Sequence, residues 1–278
     1  MDMTLYQVSK EKQLRWISLL QYLKQIWNAR YFWMHLAFSD LRAKFRRSTL
    51  GLAWSVLNPL LMTLLLTFIL GKVFNTPISD YAPYIFSGLI TWEFITSSII
   101  MGCTSFINAE GYIRQFRHPL VIYPLRHVLV ALINFSLGFI GFMLWVAIWK
   151  PNNYGLATLS LFLTFPLLII IAWPLAIITA FINTKFRDFA QLIIIVLQAI
   201  WYASPIFFEP QLFKNAGIGF LVEYNPIFHI LNLIRAPMLY GQFPSLANVN
   251  FTLATAAVLW ILAFAIIYHK ERKLIFYL

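Results

Sequence analysis

Residues 156–182 read LATLSLFLTFPLLIIIAWPLAIITAFI and contain no Asp, Glu, Lys, Arg or His. An apolar stretch of about 20 residues is long enough for a helix to cross the hydrocarbon core of a bilayer. Five other stretches of the chain have the same character, at residues 52–73, 84–107, 120–149, 190–208 and 251–268. The sequence therefore predicts an all-α integral membrane protein with six transmembrane helices.

The overall composition agrees with this fold class. The 278 residues are 60% hydrophobic and 11% charged, whereas soluble domains are about 45–50% apolar and about 25% charged. We expect one membrane domain over residues 52–269 and a short tail at 270–278. The net charge of +11 fits basic loops beside anionic lipid headgroups, so we expect no nucleic-acid partner.

The distribution of basic residues predicts the orientation. Of the 21 Lys and Arg residues, only Lys72, Lys150, Lys214 and Arg235 fall on one side of the predicted spans. The other 17 lie in the head, the second-to-third and fourth-to-fifth connections and the tail. Short loops rich in Lys and Arg stay in the cytoplasm. Both termini are therefore expected to be cytoplasmic.

The head divides into an extension, residues 1–29, and a predicted amphipathic interface helix, residues 30–51. In this helix an apolar stripe recurs with helical spacing, and basic residues occupy the rest of the circumference. Such a helix lies in the membrane interface with its apolar face in the acyl region. The simpler alternative is a polybasic orientation signal. The stripe consists of Met34, Phe38, Leu41 and Phe45.

Two cytoplasmic connections, residues 104–118 and 183–191, are short, mixed in charge and held between long spans. These properties suit a docking element for a cytosolic partner, although two ordinary solvated turns would look similar. The charged candidates for docking are Glu110, Arg114, Arg117, Lys185 and Arg187.

Residues 209–248 differ from the spans because they are apolar but interrupted by Pro, Gly and polar residues. Irregular backbone at membrane depth is tolerated only where protein or water covers it. We interpret this segment as a re-entrant pair of half-helices on the outer side, between the fifth and sixth spans.

Glu93 is an acidic residue clearly inside a predicted span, and an intramembrane acid is costly unless it has a partner. Counted from Tyr84, it falls in the outer half of the second span. His229 and Arg235 of the outer segment are then its expected partners. A structural ion pair and a direct role with substrate both remain open.

Aromatic residues make up 18% of the chain, and several lie away from the expected interfacial belts. Aromatic rings stack on the C–H faces of sugars, which suits a channel for a glycan. For any single residue, packing against lipid is the simpler explanation. The channel candidates are Trp92, Trp173, Trp201, Tyr202, Phe207 and Phe208.

The run KFRRSTLGLAW at residues 44–54, followed by Asn58-Pro59, resembles the start of the first span in type-2 ABC exporter permeases. The most similar branch is the O-antigen, capsule and teichoic acid exporters. The resemblance begins near residue 30 and reaches the tail, so the extension has no counterpart. Further matches are GLITW at 88–92, the connection at 183–188, Ser204-Pro205, and Asn225-Pro226 with His229 and Arg235.

This resemblance implies a homodimer of permease chains with two copies of a separate ATPase subunit, in a bacterial inner membrane. The cargo would be a lipid-linked polysaccharide carried on a polyprenyl diphosphate. Residues 104–118 would form the coupling helix, and Glu93, His229 and Arg235 would belong to an outer gate. The diphosphate would meet basic residues near the cytoplasmic interface, namely Arg42, Arg46, Arg47 and Arg126.

The chain contains neither a G-x-x-x-x-G-K-[ST] phosphate loop nor an H-E-x-x-H metal motif. We therefore expect no catalytic residues, no metal and no cofactor in this chain, with ATP and Mg²⁺ held by the partner ATPase. Alternatives are an ABC exporter of a smaller lipid or a drug, a membrane-embedded glycolipid transferase, and an ion-coupled secondary transporter.

Overall fold

The computed structural model describes residues 19–116 and 118–278, which form thirteen α-helices and no strand. In chain order the helices are α1 (Leu19–Asn28), α2 (Arg30–Lys44), α3 (Trp54–Phe74), α4 (Ile78–Cys103), α5 (Ser105–Asn108), α6 (Glu110–Gln115), α7 (Ile122–Trp149), α8 (Leu161–Lys185), α9 (Phe189–Tyr202), α10 (Pro210–Asn215), α11 (Phe220–Glu223), α12 (Pro226–Tyr240) and α13 (Leu246–Lys270). A 3₁₀ helix, Glu271–Phe276, follows α13.

Five of the described helices are long and apolar enough to cross a membrane, and the chain is a multi-pass membrane protein with an all-α fold. In two of them a short 3₁₀ turn precedes the α-helix. The five spans are Gly51–Phe74, Ile78–Cys103, Ile122–Trp149, Leu156–Lys185 and Leu246–Lys270.

The predicted fifth span, residues 190–208, differs from this pattern. Only Phe189–Tyr202 is helical, and its 14 residues are fewer than the roughly 20 that a spanning helix needs. The following residues, 203–208, are not helical. The segment is apolar as predicted, but the helix ends early because of Pro205 and of the hydrogen bonds from Arg235 to Pro205 O and Ile206 O.

Two further boundaries were predicted wrongly. The second span begins at Ile78 rather than at residue 84, since Pro77 is the N-cap and Pro83 lies inside the helix. The connection at 183–191 is no helix of its own but a sharp turn between α8 and α9. Asn183 holds this turn, since its side chain donates to Cys103 O (3.0 Å) and accepts from Ala190 N (3.1 Å).

Helix α4 is the centre of the bundle and packs against α3, α7, α8, α9 and α12. It approaches α8 so closely that a Cβ on Gly102 would lie 2.6 Å from the Cβ of Ala176. Small residues allow such close backbone contact between membrane helices. The main apolar core surrounds α4, and its aromatic part contains Phe86, Phe94, Phe135, Phe139 and Phe142.

A second apolar cluster gathers α1, α2, the α5–α6 segment, the start of α7 and the ends of α8 and α13. These parts carry most of the basic residues, so we call this the basic end of the bundle and the other the opposite end. At the opposite end Lys150 pairs with Asp80 at 2.7 Å.

The outer segment forms three short helices, α10 to α12, instead of a pair of half-helices. Asn225 caps α12 by accepting from Ile227 N at 2.9 Å, with Pro226 as the first helical residue. Gly241 ends α12 in the left-handed region, with φ 63°. These signals fix α12 as a separate helix, which packs on α4, α8 and α13.

Helix α2 is present, but it ends at Lys44 rather than at residue 51, and the residues of the predicted stripe are divided between the protein interior and the surface. Leu36, Ala37 and Leu41 are buried, whereas Met34 and Phe38 are 39% and 50% exposed. Ala37 and Leu41 pack around Val130 on α7. Two residues of the predicted stripe, Leu41 and Phe45, thus pack toward α7, and the placement of Met34 and Phe38 in the acyl region stays a prediction.

Candidate functional site

One line of side chains on α4 is partly exposed, whereas all the remaining residues from Tyr81 to Cys103 are buried. We call this the open line. The exposed residues of α3 and α13 are nearly all aliphatic or aromatic, as expected for contact with lipid. The open line on α4 is different because it contains a carboxylate and two hydroxyls. Polar groups in a spanning helix face a cavity or a partner rather than lipid. The open line consists of Leu89, Trp92, Glu93, Thr96, Ser97, Ile100 and Met101.

Glu93 lies on this line, beside a crevice that is also lined by Ser55, Ser97 and Asn134. Ser55 Oγ donates to Asn134 Oδ1 at 2.8 Å and so ties α3 to α7 at this level. Glu93 therefore belongs to a polar site that is shared by α3, α4 and α7.

The predicted pairing of Glu93 with Arg235 or His229 is wrong. Arg235 contacts α4 at Tyr84 and Ser87. From Ser87 to Glu93 the six-residue step moves about 9 Å along the helix and about 120° around it. Because α4 begins at Ile78, Glu93 is 15 residues from its first residue and 10 from its last (93 − 78 and 103 − 93), nearer the basic end.

Arg235 instead lies in a knot of backbone oxygens at the opposite end. Its side chain is 2% exposed and donates to Ser87 Oγ (3.2 Å), Tyr84 O (3.1 Å), Pro205 O (2.7 Å) and Ile206 O (2.7 Å). The guanidinium carbon also lies 3.7 Å from the centroid of the Tyr84 ring. The knot joins α12, α4 and the non-helical segment after α9.

Gly88 makes the Arg235 knot possible. A Cβ at this position would lie 2.4 Å from Ile206 O and 2.8 Å from Arg235 Nη2. The sequence singled out the GLITW stretch and Ser204-Pro205 as separate motifs, and the structure shows that they meet here. Tyr81 and Tyr84 complete the contact, since their hydroxyls donate to Phe207 O (2.8 Å) and Phe208 O (3.0 Å).

His229 was grouped with Glu93 and Arg235, but the structure separates the three residues. His229 Nδ1 lies 2.8 Å from Asn248 Oδ1, and Nε2 lies 2.9 Å from Glu223 O. Its ring stacks on Phe251 at 4.0 Å. His229 therefore fastens α11, α12 and α13 to one another.

Four of the predicted channel aromatics do come together at the opposite end. The Trp201 ring lies 5.3 Å from Tyr202 and 5.5 Å from Phe207, and Phe207 lies 4.3 Å from Phe208. Tyr202 is 56% exposed, so this cluster reaches the surface beside α9. Trp92 is separate from it, on the open line of α4.

Trp173 does not join either group. Its indole N–H donates to Val121 O at 3.0 Å, and Trp260 packs edge-on against it at 5.1 Å. These contacts bind α8 to α7 and α13 near the basic end. Trp173 therefore has a structural role, and its role as a channel residue stays a prediction.

The predicted phosphate ligands divide into exposed and buried residues. Arg42, Arg46 and Arg47 are exposed in and just after the last turn of α2, and none of them has a carboxylate partner among the described residues. Arg47 has φ 68°, which turns the chain sharply toward α3. We call this surface the basic loop.

Arg126 is not part of the basic loop. Its side chain is 6% exposed, and its Nε lies 3.3 Å from Asp40 Oδ2, with His127 Nδ1 3.7 Å from the same oxygen. Burial raises the pKa of the Asp40 carboxyl, and the charge of Arg126 acts in the opposite direction. Arg126 therefore fastens α2 to α7, and the prediction that it meets substrate is replaced by this role.

The predicted docking residues that the structure describes lie at the basic end. Glu110 and Arg114 pair at 2.9 Å on α6, with side chains 41% and 54% exposed. Lys185 and Arg187 are exposed at the end of α8 and in the following turn. The segment at 104–118 is two short helices, α5 and α6, rather than one. Arg117 lies outside the described residues.

A bundle with five helices long and apolar enough to cross a membrane defines a multi-pass membrane protein. Residues 32–239 match the family model described as ABC-2 type transporter. This chain belongs to that family, and the resemblance stated from the sequence is confirmed.

Individual relatives are similar over most of their length. The chain is 23% identical over 260 residues to the O-antigen export system permease protein RfbA of Myxococcus xanthus, covering 92% of this chain and 98% of that protein. It is 27% identical over 195 residues to RfbA of Klebsiella pneumoniae, covering 68% and 72%. It is 25% identical over 242 residues to the polysialic acid transport protein KpsM of Escherichia coli, covering 85% and 92%.

Proposed function

We propose that this chain is the permease subunit of an exporter that moves a lipid-linked polysaccharide across a bacterial inner membrane, powered by a separate ATPase subunit. The observation that carries the proposal is the similarity to named polysaccharide export proteins over nearly the whole chain. The polar open line on α4 supports it, because an apolar cargo would not need a carboxylate and hydroxyls along its path.

The cargo path would run along α4 between two copies of the chain. Glu93 would accept hydrogen bonds from sugar hydroxyls, and Ser97 would donate or accept them. The ring of Trp92 would stack on a sugar face. At the opposite end the cluster around Trp201 and Phe207 would provide further stacking surfaces. Because stacking needs no fixed register, a long glycan could slide past these rings. The Arg235 knot would hold the outer helices that border this end.

The basic loop would receive the diphosphate of the lipid carrier. Arg42, Arg46 and Arg47 are exposed, and guanidinium groups form charge-assisted, bidentate hydrogen bonds with phosphate oxygens. The basic end would face the cytoplasm, with both termini there, because Lys and Arg are enriched on that side. The α5–α6 segment, with Glu110 and Arg114, would dock on the ATPase.

The function is tested by purifying the chain together with the ATPase encoded beside it and reconstituting both in vesicles. We expect the ATPase to copurify and ATP to drive movement of the host's polyprenyl-linked polysaccharide. Vesicles with this chain alone serve as the control. Transport by the chain alone contradicts the proposal. ATP-driven movement of a small lipid, but not of polysaccharide, supports the smaller-cargo alternative. Sugar transfer without ATP supports the transferase.

We expect Arg46→Gln combined with Arg47→Gly to reduce export strongly while the complex still assembles. Gly suits position 47 because the backbone there has φ 68°. Loss of two phosphate contacts of about 1.5–3 kcal/mol each corresponds to at least about a hundredfold weaker binding of the lipid diphosphate. The measurement is initial export rate in vesicles at several carrier concentrations. Lys24→Gln, an exposed cation on α1 at the same end, is the charge control. Unchanged export by the double variant contradicts a diphosphate site in the basic loop.

A further inference from the structure

The two ends of the chain that lie outside the family match meet each other. Helix α1 precedes residue 32, where the match begins, and the 3₁₀ helix Glu271–Phe276 follows residue 239, where it ends. Tyr22 Oη on α1 donates to Glu271 Oε1 at 2.8 Å, across 249 positions of sequence. The contact is partly buried, so water competes weakly for it.

The same carboxylate oxygen also binds the start of α7. Leu120 N donates to Glu271 Oε1 at 3.1 Å. Leu120 lies between the α5–α6 segment and α7, and it is packed among Ile26, Ile113 and Leu274. One oxygen thus joins α1, the tail and the junction of the α5–α6 segment with α7. We call this arrangement the clasp.

The chemistry of the clasp favours a firm connection. Hydrogen bonds to an ionised carboxylate are roughly twice as strong as neutral ones. Burial, and then the charge of Glu271, raise the pKa of the Tyr22 phenol, so it keeps its proton and remains the donor. Helix α1 is in turn fastened to α2, because Trp33 Nε1 donates to Ile26 O at 3.0 Å.

We propose that Glu271 is a positioning residue that holds α1, the tail and the start of α7 as one block, so that force applied to the α5–α6 segment moves α2 and α7 together. The transmission of force rests on the proposed ATPase partner. The clasp does not depend on that partner, because its hydrogen bonds lie within this chain. It gives the two ends of the chain a mechanical role at the basic end.

The first test measures the clasp without reference to transport. Amide hydrogen exchange at Leu120 is followed by mass spectrometry with fragmentation, on the full chain in lipid nanodiscs. We expect Glu271→Ala to raise the exchange rate by about tenfold or more, and Glu271→Gln, which keeps an acceptor oxygen, to raise it less. Tyr277→Phe, on the exposed part of the same tail, is the matched control. An unchanged rate in Glu271→Ala overturns the proposal.

The second test measures cargo exported per ATP hydrolysed by the reconstituted complex. Glu271→Ala is expected to hydrolyse ATP normally but to lower this ratio by a factor of about 2 to 30, and Tyr22→Phe to lower it less. If the complex with Glu271→Ala does not assemble, the ratio of cargo exported to ATP hydrolysed is measured for Tyr22→Phe instead, because that change removes only a hydroxyl. An unchanged ratio overturns the positioning role. If the proposed function is wrong, the parent chain also shows no coupled export, while the difference at Leu120 remains.

Discussion

Arg235→Met is expected to prevent recovery of folded protein. The substitution removes four hydrogen bonds. Pro205 O keeps the Tyr84 hydroxyl as a donor and Tyr84 O keeps the Ser87 hydroxyl, so Ile206 O is the carbonyl that loses its side-chain donor. Each buried polar group left unsatisfied costs about 1–3 kcal/mol. This cost for Ile206 O, added to the lost packing and the lost hydrogen bonds of the guanidinium, is a large fraction of the net stability of a typical domain, about 5–15 kcal/mol. Water cannot replace the guanidinium, because the site is almost completely enclosed.

The measurement for Arg235 is the yield and melting temperature of monodisperse protein in detergent. Arg235→Lys should fail as well, because one ammonium group cannot occupy the positions of three guanidinium nitrogens. Lys214→Met serves as the control, since Lys214 is an exposed cation at the same end, 52% exposed. Normal yield and melting temperature for Arg235→Met would show that the knot is dispensable for folding.

Asp40→Ala is expected to have the second largest effect, by releasing α2 from α7. The change leaves Arg126 charged and buried without the carboxylate at 3.3 Å. Breaking a buried ion pair in this way costs about 3–5 kcal/mol. We expect the lower end of this range, because the Asp40 side chain is 29% exposed and partly screened by solvent.

Detachment of α2 can be measured with a cysteine at Ala37, which is 2% exposed against α7. Ala37→Cys should react slowly with a maleimide in the parent and rapidly when Asp40→Ala is added. Asp188→Ala, an exposed acid at the basic end, is the control. The double variant Asp40→Leu with Arg126→Met should restore protection, since it removes the unpaired charge as well. Rapid labelling of Ala37→Cys alone contradicts the attachment of α2 to α7 through Asp40 and Arg126. A labelling rate that Asp40→Ala does not increase contradicts it as well.

The sequence predicted the spans well because hydrophobicity over about 20 residues is a local property. Residues 52–73, 120–149, 156–182 and 251–268 each fall within or within two residues of a long helix. The fifth span failed because its end depends on Pro205 and on Arg235, which is 30 positions away. Pro205 is a local signal, but the contact with Arg235 is not visible in any local pattern.

The candidate site was only partly predictable, for a related reason. The basic loop, the aromatic cluster at the opposite end and the charged α5–α6 segment were all identified as groups of residues. Glu93 was recognised as special, but its partner was chosen from an estimate of depth that depended on where α4 begins. Arg126 was assigned to substrate on charge alone, and its pairing with Asp40 on another helix was not visible.

The amino-acid sequence alone determined that this chain crosses a membrane several times, which end is basic, and the family to which it belongs. Composition and charge asymmetry act through the solvent, and no contact between distant residues is needed for them. Only the tertiary structure decided which charges are paired and which are open, because each buried ion or hydrogen bond joins helices far apart in the chain. Arg235, Arg126 and Glu271 have their roles only once those helices are packed.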